Sequence, residues 1–458
     1  MVGYGLLFAA RPIAQSHGIW RERELVCILL AGLLGILHWA WSPRAKTAES
    51  RGGMTEWLPL LLPVFGLLQV VPLPLGVLRI VSPARARLVD ALGTMDIKPA
   101  WAPLSVTPSA TVFHCLMLAG CLVVFWVVYD LSGRLRASPW MVMAPLVIMA
   151  GGEAILGLLQ VSETRAPDAI AVGTFLIRNH YSGFLELVLP FAALFPISIL
   201  TKPRARGEST PMGGVLLACA GLAWAALILV GILSSLSRMG VLATLASAVL
   251  VTVLALGRGR SWRQSGPVFA AVLAVMVLAV FVLPSERLVG RFADLDRRGR
   301  TAPWAETGNL IKAYPLLGCG LGGYESAFVQ FKSSHALFDQ DYAHNDYLQY
   351  FSELGLVGFV IGAVPLVLIV FRLRNGWVQQ ARPDAAWLSI ACAGSIGAIA
   401  AHSLADFNLY VPANMLVLAW IMGAASCNGV LGLQRIQHDR KEAIPAASGI
   451  PGRSRHRP

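Results

Sequence analysis

Residues 213–233 read GGVLLACAGLAWAALILVGIL, a run of 21 residues with no charged side chain. A helix rises ~1.5 Å per residue, so such a run crosses the ~30 Å hydrocarbon core of a bilayer. Comparable apolar runs lie on both sides of it. Before it come 181–200, 140–160, 109–130, 57–72, 25–41 and a short stretch at 1–10. After it come 239–256, 267–284, 347–371, 386–404 and 413–433. Backbone amides in lipid must pair within the chain, and the alternation of a barrel strand is absent, so these runs are read as helices. The expected fold is all-α, a polytopic membrane helical bundle of about 12 transmembrane helices. Composition agrees: of 458 residues 56% are hydrophobic and 14% charged, where soluble domains carry about a quarter.

The net charge of +12 could suggest a nucleic-acid partner, but its placement argues for topology. Basic residues gather in short loops at Arg44, Lys46 and Arg51, at Arg134 and Arg136, at Lys202, Arg204 and Arg206, at Arg258, Arg260 and Arg263, and at Arg372, Arg374 and Arg382. A basic tail follows from Arg435. Alternation with the helix crossings puts these loops in the cytoplasm and the others in the periplasm. Four parts result: N-terminal transmembrane helices over 1–284, a periplasmic loop subdomain over 285–346, C-terminal transmembrane helices over 347–433, and a basic cytoplasmic tail over 434–458. The seven cysteines form no CxxC pair or Cys/His spacing, so neither a disulfide framework nor a zinc site is indicated.

Polar side chains that could do chemistry cluster at the periplasmic ends of the helices. His344-Asn345-Asp346 stands where the long loop re-enters the membrane, followed by Gly355 and Gly358. A histidine there can exchange a proton near neutral pH; the plainer reading is a helix cap by Asn345 or Asp346. Ser234-Ser235-Leu236-Ser237-Arg238 places an arginine at the mouth of an apolar helix. Such an arginine can snorkel to the interface, or fork onto phosphate oxygens. Arg178-Asn179-His180 opens another span, beside Tyr181 of the aromatic belt. His402 and Asp406 share a face if their turn is helical. Gly318, Gly320 and Gly323 fit G-x-G-x-x-G, but no strand precedes them and no dinucleotide-sized domain surrounds them. Asp294 and Asp296 sit among arginines that would repel a divalent cation.

Together these clusters resemble the O-antigen ligase and polymerase superfamily of bacterial envelope glycosyltransferases. His344, Asn345, Gly355 and Gly358 satisfy the ligase signature, Arg238 to Leu242 is similar to its Arg-x-x-x-Leu element, and Arg300 to Trp304 with Tyr314 to Gly322 is similar to its periplasmic loop. The resemblance implies a GT-C-like helical fold in the bacterial inner membrane with the active site facing the periplasm. It implies a donor glycan on undecaprenyl pyrophosphate, an acceptor that is lipid A-core for a ligase or another lipid-linked glycan for a polymerase, and no metal or cofactor. A transferase of that kind would invert in a single displacement. His344 is then expected as base, with Arg238 and Arg178 on the leaving pyrophosphate. Asn179, His180, Arg300, Asn345 and His402 are expected to bind substrate. A lipid-linked glycan transporter is the alternative from another class; it would carry charges deep in several spans rather than at one face.

Overall fold

The computed structural model describes residues 17–41, 56–135, 137–164, 169–202, 208–257, 301–333, 341–379 and 382–443. The expected spans 1–10 and 267–284, Arg300, Asp294, Asp296 and the end of the basic tail lie outside the described residues. The long helices are α1 (His17–Trp41), α5 (Pro108–Arg134), α6 (Ala144–Thr164), α7 (Arg178–Leu200), α8 (Met212–Ser234), α9 (Arg238–Leu256), α12 (Asp346–Gln379), α13 (Pro383–His402) and α14 (Pro412–Ala443). Shorter elements are α2 (Leu61–Leu68), α3 (Leu75–Val81), α4 (Pro83–Ala91), α10 (Thr301–Ala313) and α11 (Tyr324–Phe328). Strands β1 (Pro72–Pro74) and β2 (Trp101–Pro103) pair antiparallel, Leu73 opposite Ala102.

Seven helices among the described residues, α5 to α9, α12 and α13, are long and apolar enough to cross a membrane. The chain is therefore a multi-pass helical membrane protein. Its helix ends fall close to those expected. The run 57–72 does not form a spanning helix. It makes a 3-10 turn at Leu58–Leu60 and then α2, which ends at Leu68. Pro72 and Pro74 follow, and the fully buried Gln69 is spent on other backbone. Its Nε2 donates to the Leu317 and Glu353 carbonyls at 2.7 and 3.0 Å, and its Oε1 accepts from Leu321 N at 3.0 Å.

Helices in lipid gain little from mutual burial of apolar surface, so close approach and hydrogen bonds hold them together. Gly423 brings α14 onto the backbone of α5 at Phe125, Gly240 brings α9 onto Ser182 of α7, and Gly151 lies under the Trp224 ring. Ser395 Oγ donates to Leu187 O at 2.6 Å and Ser247 Oγ to Gly394 O at 2.9 Å, tying α13 to α7 and α9. Trp224 and Trp420 donate to the Val147 and Val142 carbonyls. The main core gathers around Tyr181, Phe184, Phe191, Ile228, Trp387 and Ile421.

Near its start α12 is broken. Gly355 has φ 63° and ψ −171°, a conformation open almost only to glycine. The segment Tyr314–Gly323 runs alongside and replaces the lost helical bonds. Leu356 N donates to Pro315 O, Val357 N to Leu316 O, Cys319 N to Ser352 O and Gly320 N to Glu353 O, all at 2.9–3.1 Å. A Cβ on Gly355 would enter the Leu316 backbone. Gly355→Ala is expected to cost on the order of 1–3 kcal/mol from backbone conformation alone. It should melt clearly below wild type in detergent, while Gly76→Ala, whose Cβ meets nothing within 4 Å, melts with it. Equal melting of all three would remove this account of the break.

Candidate functional site

The starts of α7, α9, α12 and α14 and the ends of α8 and α13 meet at one end of the bundle. Their contact is made by the turn Ser403–Val411. Asp346 N donates to the carbonyls of Ser403 and Asp406 at 3.0 and 3.1 Å, and Ser403 Oγ and Leu409 N donate to Asp346 Oδ2 at 2.7 and 3.2 Å. Asn345 caps α12, its Oδ1 accepting from Leu348 N at 3.1 Å while its Nδ2 donates to Leu404 O at 2.8 Å. Ala343 is held on both sides, by Gln349 Oε1 on its N–H and by Trp304 Nε1 on its carbonyl. Between these fixed neighbours His344 sits at φ 50°, in the left-handed region that a non-glycine residue seldom adopts.

Asp406 is the centre of the cluster. Its Oδ2 accepts from Asn179 Nδ2 at 2.5 Å and its Oδ1 from Phe407 N at 2.9 Å. His344 Nδ1 lies 3.6 Å from Oδ1 and His402 Nε2 lies 3.9 Å from Oδ2. Burial alone would raise its carboxyl, but the contact with His344 and the imidazoles of His180, His402 and His344 outweigh it and hold Asp406 well below the usual carboxylate range. The His344 side chain is 44% exposed while that of Asp406 is 2% exposed. An aspartate behind a half-exposed imidazole orients the ring, the arrangement a general base needs.

Two arginines open the helices beside this pair. Arg178 is the first residue of α7 and Arg238 the first of α9, both half-buried. The helix starts are laced together, because Asn179 Oδ1 accepts from Ser237 Oγ at 2.9 Å and Ser237 caps α9 through Gly240 N. Helix starts and guanidinium groups together favour a bound anion. An aromatic floor adjoins: Tyr342 stacks on Phe407 at 4.1 Å, and His344 and His180 meet the Phe407 ring edge-on at 4.9 and 4.7 Å. Among the described residues no group of three or more His, Cys, Asp or Glu side chains is arranged to hold a metal ion.

Residues 222–363, from within α8 to within α12, match the family model described as O-antigen ligase. This segment is thus similar to the O-antigen ligase family, the same superfamily whose signature the sequence carries. No curated protein matches the chain. The matched segment holds Ser237, Arg238, the glycine loop, His344 and Asn345, and stops before the His402–Asp406 turn.

Of the residues that sequence singled out, Arg178, Asn179, His180, Arg238, His344, Asn345 and His402 all come to one end of the bundle. Not all can meet a substrate directly. His180 is 1% exposed and His402 0%, so both stand behind the surface, and the amide of Asn345 is committed to backbone. His402 bonds chiefly to Glu186, Nδ1 to Oε1 at 2.8 Å, rather than to Asp406. Glu186 had gone unremarked, although a carboxylate within an apolar span is costly and calls for a partner. Glu353 is another: fully buried in α12, it accepts from Tyr410 Oη, Gly322 N, Tyr324 N and Gln349 Nε2 at 2.5–3.3 Å. The signature's first glycine breaks α12 beside it, and its second, Gly358, faces the Phe65 ring of α2.

Asp406→Asn should lower stability by roughly 1–3 kcal/mol, since it leaves donors aimed at a neutral amide. The native carboxyl is depressed, so its contribution is fully present above the unfolded value, ~3.9, and is lost as pH falls through the lower native value. The difference in melting between wild type and variant should stay constant from pH 8 to pH 5 and shrink below about pH 4. A gap that shrank between pH 8 and pH 6 would contradict this assignment.

Proposed function

We propose that this protein is an inner-membrane glycosyltransferase that moves a glycan from undecaprenyl pyrophosphate onto an acceptor hydroxyl at the periplasmic face. The match of residues 222–363 to the O-antigen ligase family model supports the class of enzyme. The observation that carries the reading is the half-exposed His344 backed by Asp406 beside the two arginine-headed helix starts. The basic loops between spans support the orientation: Arg134, Arg372 and Arg382 lie at the bundle end opposite His344.

In the proposed reaction His344 takes the proton of the acceptor hydroxyl. With Nδ1 towards Asp406, Nε2 is the nitrogen free of that contact and receives it. The hydroxyl oxygen bonds to the anomeric carbon as the bond from that carbon to the pyrophosphate oxygen breaks, in one displacement with inversion. The electron pair leaves on the pyrophosphate, where Arg238 and Arg178 stabilise the growing charge. The guanidinium and helix-start charge supply this without a metal. Asn179 links the two sides of the site, and Arg300 is a further anion contact. The 12-span topology and the periplasmic placement of 285–346 belong to the same proposal. The acceptor is lipid A-core in this reading, which makes the protein a ligase.

A strain lacking the protein, complemented with wild type or His344→Ala, tests the proposal. Undecaprenyl-linked and lipid A-linked glycans are extracted and resolved by length. Long chains retained on the carrier with bare lipid A-core are expected for the deletion and for His344→Ala. Single repeats on the carrier would instead identify a polymerase, and full transfer by His344→Ala would refute the base. Arg238→Lys keeps the charge but not the fork; it should lower transfer at least about tenfold, or ~1.4 kcal/mol of transition-state binding. Wild-type rates would remove the bidentate role.

A further inference from the structure

We propose that Glu186 and His402 form a positioning pair that acts through Asp406 on His344. This rests on His344 being the base of the transfer proposed above. Neither residue can be catalytic, because both side chains are 0% exposed. They stand in line behind the reacting end. Glu186 Oε1 lies 2.8 Å from His402 Nδ1, His402 Nε2 lies 3.9 Å from Asp406 Oδ2, and Asp406 Oδ1 lies 3.6 Å from His344 Nδ1.

Each nitrogen of the His402 ring thus faces a carboxylate oxygen. A bare ring nitrogen opposite a carboxylate would be repelled, so both nitrogens carry hydrogen and His402 sits as a cation between Glu186 and Asp406. Simple packing does not account for such a pair. Apolar side chains of the same volume are generally at least as stable in a buried site, and a carboxylate within a span is costlier still. Its place directly behind Asp406 gives it a use. Asp406 lies between an inner imidazole that is hydrogen-bonded to Glu186 and an outer one that, as the base, must gain and lose a proton. The cation on His402 takes up part of the Asp406 charge and so weakens its hold on His344. The other groups facing Asp406 are His180 and Asn179 from α7 and Asp346 from α12, with Arg178 and Arg238 at the rim.

The sign follows. Without the His402 cation Asp406 bears more fully on His344 and favours its protonated form. His402→Gln and Glu186→Gln should therefore both raise the midpoint of the His344 titration above that of wild type. Asp406→Asn should lower it. The measurement is histidine-labelled protein in nanodiscs, followed by NMR across pH, with the His344 signal identified by its loss in His344→Gln. The pH profile of glycan transfer is measured on the same samples, using carrier-linked glycan extracted from the deletion strain. Its acid limb should move up with His344 in both single variants. If a single variant fails to fold, Glu186→Gln/His402→Gln restores a neutral hydrogen-bonded pair and should show the same upward shift. An unmoved His344 midpoint in the folded variants overturns the positioning pair, even where transfer depends on His344. Shifted midpoints with full transfer by His344→Ala would uphold the pair and discard the transferase reading.

Discussion

A buried carboxylate must be surrounded by donors and positive charge, and the polar end of this protein is organised by that requirement at Asp406. Removing a carboxylate from water without such partners costs several kcal/mol. Asn179 and the Phe407 amide bond to it, and three imidazoles lie around it. These groups come from the start of α7, the segment leading into α12, the end of α13 and the turn that follows. Meeting the requirement therefore brings those parts of the chain together. The strained backbone of His344 is a local expression of the same constraint: its neighbours Ala343, Asn345 and Asp346 are each hydrogen-bonded elsewhere, and the ring is turned towards Asp406 between them.

A second constraint acts a turn further into α12. Irregular backbone at membrane depth is tolerated only where protein, not lipid, satisfies it. The break at Gly355 obeys this rule because Tyr314–Gly323 supplies the missing donors and acceptors. Gln69 joins the two from a third direction. The short helix α2 then has a purpose that a full span would not serve: it ends where Gln69 must enter. Burial also keeps the Cys319 thiol of this loop well above its ordinary value, hence protonated and inert. The glycines of the loop are there for close backbone approach to α12, which explains why they imitate a nucleotide-binding pattern without its surroundings.

Much of this could be read from the chain before the fold was seen. Uninterrupted apolar runs such as 213–233 fix helix positions to within a few residues, because a bilayer demands a minimum length and admits few charges. The polar clusters at Arg178, Arg238, His344 and His402 are legible for the same reason: against an apolar background each stands out. What was hidden is pairing across helices. Glu186 and His402 are 216 residues apart, and no spacing rule connects them. The 57–72 run misled because hydropathy registers its leucines and valines but not that Gln69 has three backbone partners waiting. Asp406 was visible only as a neighbour of His402, four residues away, whereas its nearest side-chain donor is Asn179 on another helix.

Asn179 also bears on how a base and an anion site can work on one substrate. In the proposed transfer the proton is taken at His344 and the charge develops between Arg178 and Arg238, so the separation of these groups must match the distance from acceptor oxygen to leaving pyrophosphate. Two independent clusters would let that separation drift with helix motion, and small misplacements are costly to a bond-forming step. Here a single amide spans the gap. Its Nδ2 holds the aspartate behind the base, its Oδ1 holds the serine that caps α9, and its backbone continues directly from Arg178. The start of α9 is thereby hydrogen-bonded through Asn179 to Asp406. The proposed base and the proposed cations are thus joined through one residue.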